Sequence, residues 1–524
     1  MKNNIKLTPE ELRIFGENAE ANARVPSKFR PISGGQAVIA PATIPWEDQT
    51  IPYSLEYLKK DTPHEIGHWP VFTDAAGITK DENGVLWSMA AYSKDAYFKV
   101  LKNQGPGGWI VDGMMQVYSF DGIKWYSFRE LPNRINIARN YFIDPKGKFM
   151  KGGKIGDWYA VYDNDKPRSP SVVCFKDGPQ TALQDLEFDL EIEYKQDAND
   201  LVYGQGGSDC TIGYDAVHDV YVLTGQTNDD NQGAINFWTG KTGQTMAFQS
   251  SYQPYTSKYR IECQSIPLQV VDRVTGEKVW VLSYCVQNQN TGDTNSWDNW
   301  FEISVGDWDG KNWIPNNEFN KRITYGYDQY AGNLEVTEDP HILTLTTGCF
   351  NWNRYNQDQL SNEVGQLGGF GVPMKIVVDN GVPNVIEDPA FKALFKEECR
   401  QIVDNVNVQE NIPGKTICIS GIVGAFKSEV GASGFSIIVE NEENSNSPFI
   451  ISCDGTGTDN PVGCSDLPMP WEDGDRITMI LDNGLCYVTN VTKGTRSASL
   501  FQHPVNDKGE ITINLNKSIA FISK

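Results

Sequence analysis

Three carboxylates stand in settings that solvated surface charges rarely have, each beside a turn or at a strand edge. Asp74 lies in His68-Trp-Pro-Val-Phe-Thr-Asp-Ala-Ala-Gly77, ahead of the turn Asp81-Glu-Asn-Gly84. Asp209 follows the glycine-rich approach Gly206-Gly-Ser, and Glu262 sits in Lys258-Tyr-Arg-Ile-Glu-Cys-Gln-Ser-Ile-Pro267. Carboxyl groups so placed can move a proton or attack an electrophilic carbon, although most acids near turns only cap them. A fourth pattern, His64-Glu-Ile-Gly-His68, fits the zinc-protease motif His-Glu-x-x-His. That motif needs a helix to bring both imidazoles to one face. Pro63 before it, Gly67 inside it and Pro70 after it deny it one, so no metal site is expected there.

The elements that must position these acids are strands. From about residue 68 to 375, short β-rich segments recur between Gly, Asn and Asp turns. They include Val85–Tyr92, Asp157–Tyr162, Asp219–Leu223, Lys278–Tyr284 and His341–Thr346, starting about 60 to 70 residues apart. Such spacing suits a radial array of small sheets better than a flat sandwich. The expected fold is therefore all-β: a five-bladed β-propeller over 66–383, followed by a β-sandwich over 406–524. A short helical linker, 384–405, is expected to join them, with Asp388 or Pro389 opening the helix. Residues 1–65 read as a lead-in segment with one helix at Pro9–Ala23.

Composition narrows the partners. Lys and Arg number 45 against 68 Asp and Glu, a net charge of −23 that repels nucleic acid and anionic lipid and suits an uncharged substrate. No apolar run approaches the roughly 20 residues of a membrane helix. Neither nucleic acid nor a membrane is expected as a partner, and no cofactor is called for. The start of the chain has no apolar leader core, so a cytoplasmic location, or secretion with the leader removed, is expected. The ten cysteines are scattered without Cys-x-x-Cys and read as buried thiols, with Cys453 and Cys464 able to pair only in an oxidising compartment. The sequons at Asn490 and Asn516 are too short to carry weight.

Taken together, Thr73-Asp-Ala-Ala-Gly77, Ser208-Asp-Cys210 and Glu262-Cys-Gln264 resemble, in order, the three signatures of glycoside hydrolase family 32, the invertases, levanases and inulinases. Those signatures are N-D-P-N-G, R-D-P and E-C-P. Asp121–Trp125 resembles the family's D-L-x-x-W segment, Tyr325–Ala331 its Y-G-x-D-F-Y-A, Thr347–Trp352 its G-W-M-x-x-W strand, and Gly371–Ile376 its P-R-E-L segment. The resemblance covers about residues 68–500. It implies Asp74 as nucleophile, Glu262 as acid/base and Asp209 as the group that grips sugar hydroxyls in the transition state. Cleavage of a fructosidic bond passes through an oxocarbenium-like state, and a retaining pair must lie about 5 Å apart. Burial and nearby negative charge would keep Glu262 protonated near neutrality.

The implied substrate is an oligo- or polysaccharide of β-fructose, with Trp69, Ser208, Tyr330 and Trp352 as further substrate-binding candidates. The sequence departs from the family where Ser208 replaces arginine, Thr73 replaces asparagine, and Met115-Gln-Val117 stands for W-G-H. These departures leave open a different fructoside, transfer to a sugar acceptor, or loss of activity. Two other readings share the fold: an inverting arabinan- or xylan-cleaving propeller, which needs a wider carboxylate pair, and a glycan-binding propeller that relies on aromatic faces.

Overall fold

The structure is a computed structural model. Residues 1–70, 94–112, 164–170, 180–186, 196–207, 289–297, 351–367, 387–399, 423–434, 441–448, 460–474 and 501–509, with some shorter breaks, lie outside the described residues. The expected N-terminal helix, His64 and His68, and Cys464 all fall there. Every described element is a strand.

Residues 71–386 form five sheets, each cut from one continuous stretch of chain: 71–130, 136–189, 193–252, 259–322 and 329–386. The five β-rich segments read from the sequence all become the second strand of their sheets: Leu86–Ser93, Trp158–Asp163, Val220–Asp229, Lys278–Asn288 and Leu343–Phe350. Each sheet contacts the next through its inner strand, and the strand Val71–Ala75 of the first contacts strands of the fifth, closing a ring. Because the second strand of a sheet in this ring is covered on both faces, it is apolar over a continuous run rather than alternating. In the fourth sheet Val281, Leu282, Tyr284, Cys285 and Val286 are all fully buried in sequence. The core is accordingly divided among the gaps between neighbouring sheets.

One device recurs at the turn after each inner strand. Asp81, Asp144, Asp215, Asp272 and Asp339 each accept a backbone N–H two residues on, at 2.8 to 2.9 Å, so that one aspartate caps one turn in every sheet. At Asp272 burial pushes the carboxyl up, but backbone donors from Thr275, Gly381 and Val274 outweigh it and hold the pKa at about 2. Part of the acidic surplus thus belongs to the architecture.

Two further sheets complete the fold, one of five strands and one of seven whose edge strand, Thr324–Tyr325, comes from between the fourth and fifth ring sheets, in keeping with the expected sandwich. The expected linker helix needs correction at both ends. Val382–Ile386 is the outer strand of the fifth ring sheet, and Arg400–Val403 is the edge strand of the seven-stranded sheet. Pairing of Val382–Ile386 with Met374–Asp379 satisfies backbone groups that the periodicity alone assigned to a helix. The stretch 387–399 lies outside the described residues. Asn490 of the first sequon is buried, its amide donating to Asp475 Oδ2 at 2.8 Å.

Candidate active site

The inner strand of each ring sheet is interrupted at one level. In the first sheet Phe72 pairs with Tyr92 and Ala75 with Ala90, so the inner strand carries one residue more than its neighbour. The same insertion separates Ala138 from Tyr141, Ser208 from Thr211, and Tyr330 from Asn333. In the fourth sheet the inner strand breaks after Glu262 and resumes at Leu268, both halves pairing with Lys278–Asn288. Such bulges bend a strand and re-aim its side chains. Three of the bends carry non-glycine residues in the left-handed region: Asp209 at φ 58°, Cys263 at 54° and Ala331 at 53°. Backbone strain of this kind persists only where the surroundings impose it.

Cross-sheet hydrogen bonds stitch these bends together. Gly77 N–H donates to Arg139 O at 2.8 Å, Asn140 Nδ2 to Ile212 O at 2.8 Å, and Thr211 Oγ1 to Gln264 O at 2.8 Å. Gly332 N–H reaches Cys285 Sγ at 3.3 Å, and Thr346 Oγ1 returns to Ala76 O at 3.0 Å. Arg139 is fully buried and donates through Nη2 to Ala331 O at 3.1 Å.

Two of the three carboxylates singled out in the sequence lie on neighbouring bends, Asp209 on the third sheet and Glu262 on the fourth. Asp209 is 8 % exposed and accepts from Gln226 Nε2 at 3.0 Å through Oδ2, while its backbone carbonyl accepts from Gln264 Nε2 at 2.7 Å. Glu262 Oε2 accepts from Gln287 Nε2 at 2.6 Å and from the Tyr330 hydroxyl at 3.0 Å, and Arg260 Nη2 stands 3.7 Å from Oε1. The residue next to Glu262 closes the gap, because Cys263 Sγ is 4.0 Å from Asp209 Oδ2. Burial pushes that thiol well above the ordinary range despite the Arg139 cation, which leaves it un-ionised and a poor nucleophile. Burial and the charge of Glu262 likewise raise the Tyr330 phenol, keeping it a donor.

These neighbours of Glu262 are donors and a cation, which favour a carboxylate. Asp74 lies in the inner strand Val71–Ala75, inside the first sheet's bulge. Its side chain, like that of Ser208 opposite Gln226, is outside the described side chains. Trp69 and Trp352 are outside the described residues, whereas Tyr330 sits directly on Glu262.

Sequence reasoning passed over Gln226, Gln287, Gln264 and Arg139. A signal for the first two existed: each is a polar residue inside an apolar β run, Val220-Tyr-Val-Leu-Thr-Gly-Gln226 and Val279-Trp-Val-Leu-Ser-Tyr-Cys-Val-Gln287. A buried amide in such a run needs a partner, and here the partner is a carboxylate.

No family model matches the chain, and no curated protein matches it in sequence. Solved structures do match it. An exo-inulinase of Aspergillus awamori aligns over 86% of this chain and 95% of its own, with a TM-score of 0.66 at 12% identity. A β-fructofuranosidase of Schwanniomyces occidentalis, solved in complex with fructosyl-erythritol, aligns over 87% and 97%, with a TM-score of 0.63 at 13% identity. A family 32 β-fructofuranosidase of Bombyx mori aligns over 90% and 96%, with a TM-score of 0.60 at 12% identity. The chain has the glycoside hydrolase family 32 fold. Within that fold, propeller and sandwich both, Asp209 and Glu262 lie on the inner strands of two successive ring sheets.

Proposed function

We propose that the chain is a glycosidase acting on β-fructosides by a retaining double displacement, with an oligo- or polysaccharide as substrate. Asp74 attacks the anomeric carbon, Glu262 first protonates the leaving oxygen and then activates water, and Asp209 binds sugar hydroxyls more tightly as positive charge develops. The observation that carries this reading is the convergence of Asp209 and Glu262 on adjacent bulges, with Asp74 at the matching bulge of the first sheet. The overall fold adds support, since the similar structures include a fructofuranosidase solved with a fructosyl compound.

In this reading Tyr330 and Gln287 orient Glu262, and Gln226 orients Asp209. Ser208 in place of the signature arginine shifts sugar recognition toward other groups and makes the fructoside accepted a matter of pocket shape.

Thin-layer chromatography of products from sucrose, inulin, levan and short fructo-oligosaccharides tests the assignment. The wild-type chain is expected to release fructose or fructosyl products from at least one of them. Asp74→Asn and Glu262→Gln are each expected to lose at least about a thousandfold in turnover while keeping the wild-type circular dichroism. Near-wild-type rates in either variant would remove that residue from the mechanism.

A further inference from the structure

Beyond their bulges the five inner strands run on and line a cavity of about 770 Å³. Neither Asp209 nor Glu262 lines it. In each sheet except the second the lining residues follow the bulge or start at its far end: Ile78, Ile212, Ile266 and Leu334 belong to four different sheets. The cavity thus continues the ring axis away from the two carboxylates. Its volume is in the range of small-molecule sites, roughly 300–1,000 Å³.

Six charged side chains touch this space: Lys80, Asp81, Asp215, Glu335, Glu338 and Lys375. Five are occupied with the protein. Asp81 accepts from Asn83 N–H, Val85 N–H and Trp87 Nε1. Asp215 accepts from Val217 N–H and Trp308 Nε1 and contacts His218 Nδ1 at 2.6 Å. Lys80 and Glu338 pair at 3.0 Å, and Lys375 donates to Thr344 Oγ1 at 3.0 Å. Glu335 has no hydrogen-bond or ion-pair partner among the described residues. It lies deep in the molecule yet keeps accessible surface, and that surface belongs to the cavity. The chain makes room for this group, since a Cβ on Gly77 would stand 2.2 Å from Glu335 Oε1.

We propose that this cavity binds a small organic cation, a primary ammonium on a short apolar stem, with Glu335 as its counter-ion. Even with Glu335 protonated, Asp81, Asp215 and Glu338 against two ammonium groups make the lining net negative and disfavour an anion. The oxygens of Asp81 and Asp215 are already engaged, which leaves too few for a bare divalent metal needing six or more oxygen ligands. The isoleucines and Leu334 match an alkyl stem. An unpartnered carboxyl gains most from a guest that brings its own positive charge. Desolvation holds Glu335 protonated, with a pKa of about 8, so docking an ammonium at neutral pH must release a proton to solvent.

Isothermal titration of the full chain with n-butylammonium, 1-butanol and butyrate tests this without any use of catalysis. Only n-butylammonium is expected to bind. Its affinity is expected to rise about tenfold between pH 7 and pH 9 as Glu335 gives up its proton. Heats in buffers of different ionisation enthalpy are expected to report release of nearly one proton at pH 7 and almost none at pH 9. Glu335→Gln is expected to weaken n-butylammonium at least tenfold, and Glu338→Gln to leave it unchanged. Absence of binding, equal binding of butanol or butyrate, or an affinity indifferent to pH in the wild-type chain would overturn the proposal. The last of these requires no variant to fold.

Discussion

At the scale of single residues, the candidate active site is built from amides and a phenol that aim carboxylates. Tyr330 donates to the same oxygen of Glu262 as Gln287 does, and both donors stabilise the charged form. Removing one of them makes the carboxyl hold its proton to higher pH. Tyr330→Phe is therefore expected to move the alkaline limb of the kcat/KM profile on a cleaved fructoside upward, with a roughly tenfold fall in kcat. A profile unchanged in position would leave Tyr330 as packing. Asp209 and Glu262, on neighbouring bends of the ring, were legible in the sequence because turn signatures surround them. Gln226 and Gln287 were not, because a glutamine reveals its role only when a strand one register away supplies its acceptor.

The element that does most for function is the bulged inner strand. Its insertion is invisible to period-two reasoning, since one extra residue looks the same as a slip between two strands. Second strands were legible as apolar runs, whereas the expected helix at 384–405 gives way to strands at its two ends, where cross-strand pairing outweighs local propensity. The Asp-capped turns were also present in the sequence, as Asp81, Asp144, Asp215, Asp272 and Asp339, but hairpins of different length hid the repeat. The bulge of the fifth sheet offers a sharp test. A Cβ on Gly332 would stand 2.6 Å from the ring of Phe301, so Gly332→Ala is expected to cost about 1–3 kcal/mol in denaturant titration. A variant as stable as the wild type would show that the bend is loosely held.

At the scale of the whole molecule, two half-buried groups of opposite kind tie stability to pH. Glu335 carries a pKa raised to about 8 from an ordinary 4.5, so the native state holds a proton that the unfolded chain has lost. Stability is then greatest below the unfolded value and falls as pH rises toward 8, by on the order of 3 kcal/mol after allowance for water in the cavity. Glu335→Gln is expected to flatten thermal midpoints measured between pH 5 and pH 8. Lys321 runs the other way. Its Nζ joins ring to sandwich, donating to Asn384 Oδ1 at 2.6 Å and to Lys493 O at 2.7 Å, and burial lowers it to about 8. The native state sheds that proton first, so stability recovers from pH 8 upward toward the unfolded value near 10.5. Lys321→Met is expected to abolish the rise above pH 8; a recovery that persists would assign it to another group.

Among the described residues each ring sheet is drawn from one stretch of chain, and none borrows a strand from the far terminus. A growing polypeptide can therefore complete one sheet before the next has been synthesised, with only short-range pairing at each stage. The seam between first and fifth sheets is the exception: Thr346 must find Ala76 across most of the ring. Until that seam shuts, Asp74 has no wall beside it on the side of the fifth sheet. The surroundings of Asp74 are thus completed late in the life of the nascent chain, long after Asp74 itself has been made.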